Sequence, residues 1–220
     1  RRFTLPPAQG WNTMERLKRE REALGLYLSA HPLEQYAGVL AAKRVTAGAD
    51  IPAKVANGAT ALQLAGTVER RTERRSQKGN RFAHVALSDP SGDFEVTFFS
   101  EVLASAKSLL EPGTSVLISA EASLFNDNVR LTAQSIQSLD EVAAKHAAGL
   151  RVWVDGPEPV ADIQRILGQG KGGRADVAIV VRRPTLGREV EITLPGKFAL
   201  TPAVREAIAM TPGVAELREV

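Results

Sequence analysis

The sequence predicts a mainly β protein with α+β parts: a helical lead-in, a five-stranded barrel and a small C-terminal βαββαβ domain. Two observations carry this prediction. Residues 62–137 contain short alternating apolar segments around one helix, and alternation with a period of two is typical of half-buried strands. Residues 150–220 read as strand, helix, strand, strand, helix, strand, an order typical of a split βαβ fold.

Residues 1–60 are predicted to be a helical lead-in and connector. Thr13 is expected to cap a helix whose apolar residues recur near helical spacing. That helix is expected to end at His31, because the residue before a proline avoids the α region. A second helix is predicted over residues 33–43. Residues 46–60 are rich in Ala, Gly and Pro and are predicted to be irregular.

The barrel is predicted in residues 61–139. Three strands, a helix and two more strands is the order of an OB-fold, a Greek-key barrel that often binds single-stranded nucleic acid. A turn is expected at residues 89–92, because Asp accepts hydrogen bonds from its own turn and Gly adopts positive φ. The predicted strands are residues 62–75, 81–87, 94–99, 115–122 and 129–137, with a helix over residues 101–110.

Residues 149–220 are predicted to be an α+β protein-interaction domain, reached through a short helical linker at residues 140–148. Two helices on one side of a four-stranded sheet leave the other face open, and such a face is polar or covered by a partner. Trp153 and the run VAIVV at residues 177–181 supply more apolar surface than one helical layer needs. Burial in the core is the alternative for these residues.

Basic residues are concentrated in one loop. The chain carries 28 Lys and Arg against 25 Asp and Glu, a formal net charge of +3. Residues 69–81 contain six basic and two acidic residues, whereas the rest of the chain contains 22 basic and 23 acidic residues. The positive excess therefore lies between the first two barrel strands, where an OB-fold holds its ligand. The alternative is a solvated hairpin tip that is charged for solubility.

The second strand is expected to add two residues to this site. If Ala83, Val85 and Leu87 face the core, Phe82 and His84 face outward. An exposed Phe offers a stacking surface for a base, and packing against a neighbouring loop is the alternative. The predicted nucleic-acid-binding residues are Arg70, Arg71, Arg74, Arg75, Lys78, Arg81, Phe82 and His84.

Several kinds of chemistry have no support in the sequence. The chain has no cysteine, which excludes disulfides and thiolate metal ligands, and its acidic residues are not grouped at metal spacing. Residues 168–173 have the G-x-G-x-x-G spacing, but they follow a predicted helix and precede a strand, the reverse of a nucleotide-binding loop. No apolar run is long enough to span a membrane. We expect no cofactor, metal site, catalytic residue or membrane association.

Three stretches resemble one family. EREALGLYLSAHPL at residues 20–33 resembles the motif that precedes the OB domain in the alpha subunit of bacterial DNA polymerase III, the C-family replicative polymerase. Residues 62–99 are similar to that OB domain in the G-x-V start at Gly66, the K-G-N loop at Lys78 and the L-x-D-x-S-G turn at Leu87. Residues 150–220 agree in order and position. The family often has an aromatic residue where His84 stands.

The resemblance implies a non-catalytic C-terminal region of a replicative polymerase. In that family the OB domain is thought to bind single-stranded template DNA, and the terminal domain to bind the tau subunit of the clamp loader within the holoenzyme. It also implies a cytoplasmic parent chain that is a DNA-directed DNA polymerase, a nucleotidyltransferase whose metal-binding aspartates and clamp-binding motif lie upstream. A first residue other than Met agrees with a piece of a longer protein.

Two other functions remain open at this point. An anticodon-binding OB domain of an aminoacyl-tRNA synthetase would share the barrel, although no synthetase signature motif occurs in this sequence. A barrel used only for protein interaction would share it too. A titration with oligonucleotides distinguishes the protein-interaction barrel, which would not bind them, from the anticodon-binding domain and the polymerase region, which would.

Overall fold

The computed structural model describes residues 11–220 except 26, 78, 127, 148, 169–172 and 184–187. It confirms the predicted fold class, with a helical lead-in, a closed five-stranded barrel and a second sheet of four strands. Residues 169–172 of the glycine-rich segment lie outside the described residues. No helix within the described ranges is long and apolar enough to cross a membrane.

Helix α1, Thr13–Leu24, begins and ends at residues other than those predicted. Asn12 rather than Thr13 is the N-cap, and its side-chain oxygen accepts a 2.8 Å hydrogen bond from an N–H of the first turn. The helix ends at Gly25, which adopts the left-handed conformation with φ of 77°, and not at His31. Glycine has no Cβ to oppose that conformation, so it ends the helix before the proline acts.

The chain between α1 and the barrel is more regular than predicted. A 3-10 helix at Pro32–Tyr36 and helix α2 at Ala37–Ala42 replace the single predicted helix. The prediction that residues 46–60 are irregular was wrong, because they contain helix α3 at Ile51–Ala56. Two apolar side chains four residues apart place one face of α3 in the barrel core, which outweighs the local Gly and Pro content.

Five strands form the barrel: β1 Ala61–Arg75, β2 Arg81–Asp89, β3 Gly92–Phe99, β4 Ser115–Phe125 and β5 Asn128–Ser138. They close in the order β1-β2-β3-β5-β4, and the only parallel pairing between two described barrel strands is that of β3 with β5, at Thr97 and Thr132. Helix α4 at Ser100–Ala106 and a 3-10 turn at Lys107–Leu110 occupy the predicted helix position.

The turn between β2 and β3 forms as predicted. Asp89 Oδ1 accepts hydrogen bonds from the N–H groups of Ser91 at 2.7 Å and Gly92 at 3.0 Å. Asp89 Oδ2 accepts a third one from the Gly48 N–H at 2.6 Å. One carboxylate therefore closes the turn and also ties the segment before α3 to the barrel.

A helix leads from the barrel into the second sheet. Helix α5, Leu139–His146, packs its apolar face against Leu33 and Tyr36 of the lead-in, and is therefore more than a linker. This part of the chain has the predicted βαββαβ sequence order, with elements β6 Gly149–Val154, α6 Val160–Gly168, β7 Asp176–Arg183, β8 Arg188–Thr193, α7 Pro202–Ala209 and β9 Val214–Glu219. Its four strands form a sheet in the spatial order β8-β7-β6-β9.

The face of this sheet opposite the helices is closed by its own charged side chains. Trp153 is only 8% exposed, because the guanidinium groups of Arg182 and Arg218 lie 5.7 and 5.0 Å from its ring centroid. Glu216 accepts hydrogen bonds from both arginines, at 2.9 and 2.5 Å. The apolar surplus expected from Trp153 and residues 177–181 is therefore covered within the chain.

Candidate nucleic-acid interface

The outer face of β2 carries the two residues that alternation predicts there. Ala83, Val85 and Leu87 are inaccessible to solvent in the barrel core, so the intervening side chains of Phe82 and His84 lie on the outside. Both line a groove of about 740 Å³ on the barrel surface. The predicted orientation of β2 is confirmed.

Phe82 is part of a larger aromatic surface. It lies directly opposite Phe99 of β3, with ring centroids 6.2 Å apart and planes tilted by 39°. The His84 ring meets Phe82 edge-on at 5.3 Å. Phe99 is 52% exposed, so this surface has a free aromatic face on which a base can stack.

His84 belongs to a polar cluster on the same face. Its Nδ1 lies 3.0 Å from Glu95 Oε1 and 3.3 Å from Thr97 Oγ1, both on β3. These contacts fix the ring beside Phe82. No group of three or more His, Asp or Glu side chains that could hold a metal ion occurs in the described part of the chain.

The register of β1 against β2 divides the predicted arginines between two faces. Arg70 lies opposite Ala86, and Arg74 lies opposite Phe82, so both share the outer face with the aromatic residues. Arg71 lies opposite Val85 on the other face. There Arg71 donates to the Lys107 carbonyl at 3.3 Å and pairs with Glu73 at 3.5 Å and Glu111 at 3.6 Å.

The hairpin tip carries positive charge without matching carboxylates. Arg75 lies directly opposite Arg81 at the end of the ladder, and like charges in that position repel each other. Arg70, Arg74, Arg75 and Arg81 have no ion-pair partner among the residues that the structure describes. The eighth predicted residue, Lys78, lies outside the described residues. The described tip is therefore an uncompensated cationic end of the β1–β2 hairpin.

The β4–β5 hairpin contributes residues that the sequence analysis missed. The Arg130 guanidinium lies 3.7 Å from the ring centroid of Phe125, a cation–π contact, and Phe125 is half exposed. Arg130 lines the same groove as Phe82 and Phe99. Alternation would have found Arg130, because its neighbour Leu131 is a core residue.

The groove also has an acidic side. Asp93 and Glu95 of β3 line it together with Arg130 of β5. The arginines of β1 lie across β2 from these carboxylates. The outer face of the sheet therefore carries arginines on β1 and carboxylates on β3, and Arg130 of β5 adds a cation on the far side of these carboxylates.

Comparison with known proteins identifies relatives over nearly the whole chain. Residues 62–139 match the family described as an OB-fold nucleic acid binding domain. DNA polymerase III subunit alpha of Caulobacter vibrioides is 36% identical over 98% of this chain and 19% of its own length. The same subunit of Pseudomonas aeruginosa is 33% identical over 70% of this chain and 13% of its own length. The chain thus spans less than a fifth of these relatives.

Two solved structures also overlap with part of the chain. Rim1, a mitochondrial single-stranded DNA binding protein of S. cerevisiae, is 20% identical, with a TM-score of 0.32 over 36% of this chain and 92% of that chain. The PriB protein of Ralstonia solanacearum is 17% identical, with a TM-score of 0.32 over 37% of this chain and 98% of that chain.

Proposed function

This chain belongs to the DNA polymerase III alpha subunit family, and we propose on that premise that its barrel binds single-stranded template DNA. The match, with an OB-fold domain inside it, fits the C-terminal region of that subunit. On this proposal the parent protein is a DNA-directed DNA polymerase, and this region carries none of the nucleotidyl-transfer chemistry. The barrel holds template while catalysis takes place in another domain.

One observation carries the proposal: an aromatic pair, of which Phe99 is exposed and Phe82 half-buried, shares one face with arginines that have no ion-pair partner in the described part of the chain. Phe82 and Phe99 lie opposite each other on β2 and β3, and Arg74 lies opposite Phe82 on β1. Phosphates attract clustered arginines through release of condensed counterions, and bases stack on aromatic side chains. Single-stranded nucleic acid offers both groups at once, whereas a duplex keeps its bases stacked inside.

The positions of the β1 arginines and the β3 carboxylates indicate how a DNA strand lies across this face. Asp93 and Glu95 would repel phosphates on the β3 side, so the phosphates follow Arg70 and Arg74 and the bases turn toward β2 and β3. Three or four phosphate contacts correspond to a slope of log affinity against log salt of about −2 to −3. Stacking adds about 1–3 kcal/mol per base with little sequence preference.

A second function is proposed for residues 149–220, namely binding of the tau subunit of the clamp loader and contact with other holoenzyme subunits. The family resemblance supports it. The edge strand β8 supports it as well, because Val190 and Ile192 are exposed apolar residues on that strand. Edge strands with exposed apolar side chains are suited to pairing with another chain.

Titration with labelled oligonucleotides tests the barrel proposal and separates its rivals. We expect DNA of about 16 nucleotides, the upper site size of one OB-fold, to raise fluorescence anisotropy in a salt-dependent way. Competition by RNA of the same sequence distinguishes the anticodon-binding alternative, which predicts a preference for RNA. Absence of binding to either strand at low salt would indicate a barrel used only for protein interaction.

A further inference from the structure

Strand β1 contains one extra residue at the start of the arginine-rich segment. Val68 lies opposite Leu87, and Arg70 lies opposite Ala86. Leu87 and Ala86 are adjacent in β2, but their partners in β1 are separated by one residue. That residue, Glu69, is the bulged residue. A bulge of this kind reverses the phase of alternation in the strand that carries it.

This reversal decides which charges β1 presents on the outer face that it shares with Phe82 and His84. With the bulge, the outer residues are Arg70, Thr72 and Arg74, opposite Ala86, His84 and Phe82. In an unbroken ladder from Val68 onward, Glu69, Arg71 and Glu73 would occupy those positions instead. The bulge thus exchanges a face with one net negative charge for a face with two positive charges.

The bulged residue is held by the helical lead-in. The Glu69 carboxylate, which is only 11% exposed, forms an ion pair with Arg21 of α1 and accepts a 2.5 Å hydrogen bond from Ser88 Oγ. Ser88 Oγ in turn lies 3.1 Å from His31 Nε2. A partly buried carboxylate satisfied on both oxygens is costly to move, so these contacts keep Glu69 out of the ladder.

We propose that Glu69 and Arg21 are positioning residues of the nucleic-acid site, because their contact holds the bulge that puts two arginines on the same outer face as Phe82. This inference rests on the proposed function of the barrel. On this proposal, neither residue contacts the DNA. The lead-in helix therefore acts on binding through the register of β1.

The register can be measured without DNA. The chain has no cysteine, so engineered cysteine pairs report on it cleanly. Thr72→Cys with His84→Cys tests the bulged register, in which these residues are opposite each other. Arg71→Cys with His84→Cys tests the unbroken register. In Glu69→Val and in Arg21→Gln, we expect disulfide formation to shift from the first pair to the second.

Binding to oligo(dT) is then measured across salt concentrations in the same two variants without cysteines. The shift turns Arg70 and Arg74 away from the outer face and brings Arg71 onto it, so a net loss of one phosphate contact should bring the slope about 0.7 closer to zero. Arg19→Gln is the matched control, because Arg19 lies on the same helix but pairs with Glu15. Deleting Glu69 in the Arg21→Gln protein should restore the slope, because Arg70 then follows Val68 directly and stays opposite Ala86.

The outcomes separate this inference from the function on which it rests. If the cysteines introduced at positions 72 and 84 still formed their disulfide in both variants, the role of Glu69 and Arg21 would be refuted. A shifted disulfide with an unchanged salt slope would refute the link between register and binding. An unaltered protein that binds no DNA would refute the proposed function, and the disulfides would still decide whether Glu69 and Arg21 set the register.

Discussion

Phe82 of β2 lies directly opposite Phe99 of β3, with ring centroids 6.2 Å apart, on the outside of the closed barrel. Two aromatic side chains on an outer face contribute little to a core that is already filled by Val85, Val96 and Phe98. Their position beside the arginines of β1 is what a surface for stacked bases requires.

Replacing either aromatic residue should weaken binding without changing its salt dependence. We expect Phe82→Leu and Phe99→Leu each to lose about 1–3 kcal/mol of binding free energy for the base they stack, because leucine has no π face. The slope against salt should stay the same, since no charge is removed. Anisotropy titration measures both quantities. Leu24→Ala, at an exposed residue of α1, is the control, and an equal loss there would contradict this prediction.

The arginines of β1 should differ according to the face they occupy. Arg70→Gln combined with Arg74→Gln should bring the salt slope about 1.4 closer to zero, because two phosphate contacts are lost. Arg71→Gln removes the same kind of charge but faces Glu73 and Glu111, so it should leave the slope unchanged. If Arg71→Gln changed the salt slope as strongly as the Arg70 and Arg74 substitutions, the DNA would lie on the opposite face of the hairpin.

His31 should make stability depend on pH. Burial lowers the pKa of His31 from its ordinary value, although Asp89 and Glu34 oppose this shift. The neutral ring fits the structure, since Nδ1 accepts a 3.1 Å hydrogen bond from the Leu33 N–H and Nε2 lies near Ser88. The unfolded chain therefore takes up a proton more readily than the folded chain as the pH falls below about 6.5.

The sign of that dependence is fixed by linkage. Because the pKa is lower in the folded state, the contribution of His31 is complete above its ordinary pKa and is lost as the pH falls toward the folded pKa. Urea unfolding at pH about 8 and about 5.5 measures this loss. His31→Gln should be less stable at the higher pH and should lose less on acidification. Parallel curves for the two proteins would contradict the prediction.

The exposed edge of the second sheet should matter for tau and not for DNA. We expect Val190→Ser with Ile192→Ser to reduce capture of the tau subunit, because both side chains are exposed on β8. Surface substitutions of this kind change the free energy of unfolding by less than about 0.5 kcal/mol each. Met210→Ser, at another exposed apolar residue of the domain, is the control. Unchanged capture would exclude this edge as the tau site.

The barrel could be predicted from the sequence because its strands alternate clearly. Val85 and Phe98 are core residues flanked by outward ones, and the same rule, applied further, would have identified Phe99 and Arg130. The ends of the lead-in helix were less predictable. The sequence offers two possible ends for this helix, Gly25 and the residue before Pro32. The helix ends at the first of them, because Gly25 adopts the left-handed conformation.

The register of β1 could not be predicted. Beyond Val68 the strand has only charged and polar residues, so no apolar period marks which side chains face outward. Simple alternation from Val68 would have placed Arg71 on the outer face, opposite His84. The bulge depends on a contact between Glu69 and Arg21, residues far apart in sequence, and tertiary contacts of this kind leave no local pattern.

Photo-cross-linking of an iodouracil-substituted DNA strand to the unaltered protein tests the central claim most directly. The bases are predicted to stack on β2 and β3, because the half-buried Phe82 and the exposed Phe99 form the aromatic surface of the groove. Mass spectrometry should then locate the cross-links at Phe82 and Phe99. Cross-links confined to residues 149–220, or to the side of the barrel that carries Arg71, would contradict the assignment of this groove as the site for single-stranded DNA.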